Sequence, residues 1–505
     1  MATQRPNLPA THATLPPPYS YQTSFCLGPP LHLWSLDYST KGCLSTSGGW
    51  EVGQHSLGLF LVLNIDDIGK TERESNSLSL RTQLSATMAR IVSLPVEILE
   101  EIGEVIGNSY YPENLFDYRL TCSLLRDTSL RAFKDKYFSR RNHLLTEESL
   151  LCLLDIARDP ALGPAIKSVT FATDGVCCGV HTKHTDLYDS DDSDVKGPTE
   201  FINEQKCRRD NDEDKMLLRE IFARLKRCTE IAIVGPHYER IFDHLPEMDP
   251  TPWGLKRLRK NVIYGYLDDS SASSYVYRIV ISAILWSEIP VKRLHIGPRN
   301  NIGGILLTEL ALPNFYYDIL REVSFKQLET LELGVDTSSG PSLFVWHFVS
   351  GFLNTAPGIS RLILSDSTHL RKQVGKRLFQ FLAKEVNFNH LKELELNSWT
   401  LNVDDLLIFL RKHVNSIRSV SLVGIQLVDP LDRSIRGKNW SRLATALLEH
   451  FKIDRLLIAE CMVHGDFALA HGDDGKGPLD IDASGETEIE EALNQLLRAR
   501  GAVSS

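Results

Sequence analysis

"LKELELNSWTLNVDDLLIFLRKHVNSIRSVSL" (residues 391–422) holds one full period of the pattern that decides the fold. Leu394 and Leu396 alternate with Glu393 and Glu395, which is the spacing of a strand with one buried face. "VDDLLIFLRKHV" then spaces its apolar residues as an amphipathic helix. "IRSVSL" (417–422) restarts the strand pattern. The same apolar-x-x-apolar-x-apolar unit reads "IKSVTF" at 166–171, "CTEIAI" at 228–233, "VKRLHI" at 291–296, "LETLEL" at 328–333, "ISRLIL" at 359–364 and "IDRLLI" at 453–458. In the last six units the middle apolar residue falls at 294, 331, 362, 394, 420 and 456, in steps of 37, 31, 32, 26 and 36 residues. A strand plus a helix every thirty-odd residues is the signature of a solenoid.

Strand–helix alternation also builds doubly wound α/β sheets. The central strands of those sheets are buried on both faces and read as continuous apolar runs. Here "LETLEL" and "LKELEL" put glutamate on the second face, so that face is expected to be wet. The expected fold class is therefore α/β, an irregular leucine-rich-repeat-like solenoid. Its outward strand positions would be Arg293 and His295, Thr330 and Glu332, Arg361 and Ile363, Glu393 and Glu395, Ser419 and Ser421, and Arg455 and Leu457. Such arrays use this side to hold partners. The strip mixes both charges, which suits a protein target better than a nucleic acid, although any half-buried sheet alternates in this way.

Upstream of the array, "MARIVSLPVEILEEIGEVI" (Met88 to Ile106) opens a helical segment. Ile98, Leu99, Ile102, Val105 and Ile106 share one side of a helix, and Glu97, Glu100, Glu101 and Glu104 take the other. Pro95 is expected in the first turn, where its missing N–H costs nothing, with Ser93 as the cap. Two further short helices follow in 113–141, and a longer one after Thr146.

The stretch "SLPVEILEEIG…NLFDYRLTCSLLRDTS" resembles an F-box, the helical motif that docks on the adaptor of SCF ubiquitin ligases. The residues that carry the resemblance are Leu94, Pro95, Ile98, Leu99 and Ile102, then Leu115, Leu120, Cys122 and Ser123. The later segments are similar to those that follow the F-box in a set of filamentous-fungal proteins, so the resemblance spans about residues 90 to 460. It implies a non-catalytic substrate receptor of an SCF-type E3 ubiquitin ligase. The receptor would bind the Skp-family adaptor, and through it the cullin, and hold an unidentified protein target on the repeat array. Leu94, Pro95, Ile98 and Leu99 would reach the adaptor, while Ile102, Ile106 and Leu120 would hold the helices together; all could instead be internal core of a small helical domain. The chain departs from the family pattern in carrying Leu125 where a tryptophan is usual, and in a long loop, "GNSYYPENLF". Those departures keep an alternative open: a protein-interaction scaffold with a degenerate F-box and no ubiquitin chemistry.

The expected organisation is a disordered extension over 1–87, the F-box over 90–135, the array over 136–460 and a polar tail over 461–505. The first thirty residues hold seven prolines, and the stretch to about 87 is rich in Ser, Thr and Gly. The tail would carry one short helix, Glu486 to Arg500. A chain of 505 residues is too long for a single conventional core. The net charge of −10 is mild and does not suit a phosphate-backbone binder. No apolar run reaches membrane-spanning length, and the N-terminus lacks a signal-peptide core. Nine scattered cysteines read as free thiols, placing the protein in cytoplasm or nucleus.

Motifs that could carry other chemistry are weak. "CCGVHTKH" (Cys177 to His184) has no second cysteine pair for zinc. "DLYDSDDSDV" (186–195) reads as a solvated acidic loop with Ser190 and Ser193 as phosphorylatable positions. "GPRNNIGG" (297–304) lacks the Lys-Ser/Thr end of a phosphate loop, and "LKRLRK" (255–260) has no interleaved aromatics. No metal, cofactor or catalytic set is expected.

Overall fold

The computed structural model describes residues 91–109, 113–173, 207–235, 269–297, 304–310, 314–336, 345–366, 372–428, 438–463, 466–467 and 481–498. All of them belong to one compact unit, Gln83–Ser505. The extension expected over 1–87, "CCGVHTKH", the acidic run at 186–195, "LKRLRK" and nearly all of "GPRNNIGG" lie outside the described residues.

Ten strands follow one another across a single sheet in chain order: β1 (Arg140–Leu144), β2 (Ser168–Ala172), β3 (Glu230–Val234), β4 (Arg293–Ile296), β5 (Thr330–Asp336), β6 (Arg361–Asp366), β7 (Glu393–Asn397), β8 (Ser419–Val423), β9 (Arg455–Ala459) and β10 (Ile481–Ser484). A short strand, Ile305–Leu306, pairs off this path with β5. Every step from β1 to β9 is parallel. A parallel step needs a crossover of about a dozen residues or more, and the intervening helices supply it. The sheet is mixed α/β and grows one unit at a time, as a solenoid does.

Register explains why the short sequence unit recurs. Leu294, Leu331, Leu362, Leu394, Val420 and Leu456 are direct partners on successive strands. So are Ile296, Leu333, Leu364, Leu396, Leu422 and Ile458. Because side chains alternate with period two, both ladders point to the same side. They pack there with the apolar faces of the helices Asp269–Ser287, Val345–Asn354, Lys372–Glu385, Val403–Lys412 and Lys438–His450 in one continuous core.

The last units share a backbone device. The residue after each of β7, β8 and β9 is left-handed: Ser398 (φ 62°), Gly424 (φ 63°) and Glu460 (φ 54°). Each turn is followed by a buried residue, Trp399, Ile425 or Cys461. Beyond these, Thr400–Asn402, Gln426–Val428 and Met462–Val463 join a second, four-stranded sheet. Trp399 Nε1 donates to Leu364 O at 2.9 Å and ties this turn back to β6.

The segment expected as a polar tail completes the array. β10 pairs antiparallel with β9, Leu456 opposite Ala483 and Ile458 opposite Ile481. The helix Glu486–Arg498 then packs on Lys438–His450 and buries Ile489, Leu493 and Leu496. Residues 499 and 500 of the expected helix lie outside the described residues.

Ahead of the sheet, the described residues include the short helices α1 (Val96–Gly107), α2 (Glu113–Thr121), α3 (Ser123–Thr128) and α4 (Leu130–Tyr137). Pro95, not Ser93, precedes α1 as its cap, and its carbonyl accepts from Ile98 and Leu99 N–H. Gly103 lets α1 approach closely, because a Cβ there would lie 3.1 Å from Ser129 Cβ and 3.2 Å from Ser129 Cα, and Ser129 would have to give by a few tenths of an ångström. That close approach draws α1 onto the α3–α4 junction.

Candidate functional site

Two surfaces present themselves, one on the helical module and one on the open side of the sheet. On the module, Leu94, Val96, Ile98 and Val105 around α1, Phe116 and Leu120 on α2, and Leu124 on α3 are large apolar side chains left exposed. Pro95 is exposed as well, and Ile102 and Cys122 are half-buried. Seven such residues within about thirty positions is far more than scattered surface leucines require.

The division of labour expected from the sequence is reversed at two positions. Leu99, assigned to the docking set, is 0 % exposed, and Leu120, assigned to the interior, is 81 % exposed. Leu115, which the F-box resemblance also implies as an adaptor-binding position, is fully buried. The cause is a split of the apolar side of α1 into two stripes. Ile98, Ile102 and Val105 run along the outer one. Leu99, Gly103 and Gly107 run along the inner one, where Gly103 admits Ser129 and Gly107 admits Ala132. Tyr118 OH donates to Leu99 O at 3.2 Å, closing α2 onto the same inner stripe. Arg119 lies over the Phe133 ring at 4.0 Å and donates to Arg126 O at 2.7 Å, so α2, α3 and α4 are held together by one side chain. The glutamates of α1 stay on its wet side, as expected.

No linker separates this module from the array. After α4, the carbonyl of Ser139 accepts from both Lys167 N (2.8 Å) and Ser168 N (3.0 Å) at the entry to β2. Lys167 also pairs with Asp135 at 3.2 Å, and Arg141 donates to Tyr137 O at 3.1 Å. The module and the first strands are thus crosslinked by hydrogen bonds.

On the sheet, the expected outward positions do lie on the side opposite the core, but only part of that side is open. Along the central outward row, Asn142, Thr170, Ala232, Glu332 and Ile363 are buried, while Glu395, Ser421 and Leu457 are partly exposed. Glu332, at 4 % exposure, and Ile363 are therefore not available to a partner. Glu332 is instead bound by His295, whose Nδ1 lies 2.8 Å from Oε2. In the outer row, Arg293 is exposed and pairs with Glu230 at 2.9 Å, and Thr330 is half-buried.

The open part begins at β6. Arg361 Nε lies 3.3 Å from Glu393 and its Nη2 lies 3.8 Å from Glu395. Arg455 faces Asp482 of β10 at 3.6 Å. Between these arginines lies a hollow of about 160 Å³ over Ser419 and Ser421. Its existence is a consequence of side-chain length, two serines standing between a glutamate strand and an Arg/Leu strand. Among the described residues no group of three or more His, Cys, Asp or Glu could hold a metal ion. No described helix is long and apolar enough to cross a membrane.

No protein-family model matches the chain, and no curated protein matches it. Among solved structures, it is similar to a chain in the crystal structure of the yeast Rad7–Elc1 complex. The likeness has a TM-score of 0.30 at 14 % identity and covers 81 % of this chain and 96 % of that one. A likeness at that level carries no weight for function.

Proposed function

We propose that this protein is a non-catalytic substrate receptor of an SCF-type ubiquitin ligase, binding the Skp-family adaptor through its helical module and a protein target through the open end of its sheet. The observation that carries this reading is the exposure of Leu94, Pro95, Ile98 and Leu120, four positions of the F-box-like pattern, on a module fused directly to a repeat array. Exposed apolar anchors on a small helical surface suit docking into a groove of another protein. The receptor would contribute proximity and orientation rather than chemistry. The missing family tryptophan weighs little against the reading, because Leu125 at that place is internal to the module.

Capture of a purified Skp-family adaptor by the full chain tests this, against an Ile98→Glu/Leu120→Glu variant. Both side chains are exposed, so the variant should keep its stability to within about 1 kcal/mol. Wild type should retain the adaptor and the variant should lose it. If wild type captures none, or the variant captures as much, the protein is a scaffold outside ubiquitin transfer.

A further inference from the structure

The outward side chains of β8 are Ser419, Ser421 and Val423. At the same registers β7 presents Glu393, Glu395 and Asn397, and β9 presents Arg455, Leu457 and Ala459. Small residues on a central strand between longer ones make a furrow that runs along the strand direction. With neighbouring strands about 4.8 Å apart, its walls stand about 10 Å from each other, the width of one extended chain. The 160 Å³ hollow lies in this furrow, lined by Ser419, Ser421 and Val423 at its floor.

The charges select the occupant. Among the described residues, Glu393 and Glu395 face one guanidinium, that of Arg361, and Glu395 also accepts from Asn397 Nδ2 at 3.0 Å. Two carboxylates against one cation leave that wall with an excess negative charge. The arginine of the opposite wall, Arg455, is turned to Asp482. An anion resting on the serines would lie one strand spacing from both glutamates, with each nearby guanidinium already facing a carboxylate. A cation there meets the unbalanced glutamates, and an alkyl stem crossing Ser421 has Leu457 beside it, which is how long basic side chains bury their methylenes.

We propose that the furrow over Ser419–Val423 receives an extended polypeptide segment carrying a lysine or arginine, whose cationic head pairs with Glu393 and Glu395 and whose stem lies against Leu457. This rests on the reading of the open sheet face as the target-binding side, and it names the chemistry of the target. A phosphorylated or acidic segment is the occupant the furrow rejects.

The test uses the full-length protein and three degenerate decapeptide pools with a fixed central lysine, glutamate or phosphoserine, followed by fluorescence anisotropy. The lysine pool should bind about fivefold or more tighter than the other two, the gain of roughly one well-placed charge pair, and the preference should shrink at high salt. Glu393→Gln/Glu395→Gln should remove that preference, and Ser421→Trp, which fills the furrow, should abolish binding of every pool. Glu395→Lys should turn the preference towards the glutamate pool. Equal binding of the three pools, preference for glutamate or phosphoserine by wild type, absence of saturable binding to any pool, or unaltered binding by Ser421→Trp would each overturn the proposal. Adaptor capture measured on the same variants separates the two readings. Capture retained while the furrow binds nothing overturns only the furrow, and peptide binding without capture overturns only the ligase assignment.

Discussion

His295 Nδ1 lies 2.8 Å from a Glu332 carboxylate oxygen, the two residues being direct partners on β4 and β5. Glu332 is buried, so the contact is structural rather than a free feature of the surface. Glu332→Ala would leave the imidazole without this acceptor and should cost about 1–3 kcal/mol in urea denaturation. Glu332→Gln keeps an acceptor oxygen and should cost less. Equal losses for both variants would show that the hydrogen bond is not what matters at this site.

His143 gives a pH dependence. It is wholly buried, with Nδ1 at 3.0 Å from both Ser149 O and Ser149 Oγ, and burial, aided by nearby Arg141, pushes its pKa down to about 3. The folded protein keeps this ring neutral, whereas the unfolded chain protonates it near pH 6.5. Its contribution is complete above pH 6.5 and is lost as pH falls through 6.5 towards 3. By pH 5 the loss amounts to about 2 kcal/mol. His143→Leu should therefore lose less stability than wild type between pH 7 and pH 5, by about that margin, in parallel denaturation curves. Identical pH slopes would exclude His143 as the source.

Ser398 holds a left-handed turn at the end of β7, at the place where the next unit has Gly424. A non-glycine residue there costs about 1 kcal/mol or more, and glycine avoids that cost. Ser398→Gly should raise stability by up to about 1 kcal/mol, and Gly424→Val should lower it by at least as much, both read from thermal midpoints. A Ser398→Gly variant less stable than wild type would mean that the serine side chain does more than occupy the turn.

The C-terminal strand and helix should be required by the array. Deleting 481–505 removes β10 and uncovers the apolar faces that Ile489, Leu493 and Leu496 fill. Terminal caps of this kind keep solenoids soluble. The shortened protein should melt at lower temperature and aggregate at concentrations where the full chain stays dispersed in light scattering. Unchanged solubility and melting would show the cap to be dispensable.

The sequence made the array legible because register and period coincide in it. One strand position per unit repeats with a single phase, so Leu294, Leu331, Leu362, Leu394, Val420 and Leu456 could be aligned by spacing alone, and they are direct partners in the sheet. Burial of Glu332 and Ile363 was not legible, since alternation tells which side a residue faces and not how far that side is covered. The exchange of Leu99 and Leu120 escaped for a related reason. Periodicity finds an apolar stripe, but its inner half is chosen by a distant contact, the approach of Ser129 to Gly103. "IDAS" at β10 and "RRNHL" at β1 carry too little apolar alternation to announce strands, and their neighbours supply the pattern.

The direction of β10 bears on how such a chain can change length. Nine strands run the same way, so at any join between them one unit more or less leaves an equivalent parallel interface on each side. β10 runs the other way, so a further unit running in the direction of β1–β9 would meet it antiparallel and would not repeat the parallel interface of the array. Units gained or lost by duplication in this lineage should therefore fall between the helical module and β9. The spacing between the two proposed binding surfaces would then vary in whole units while both ends stay the same.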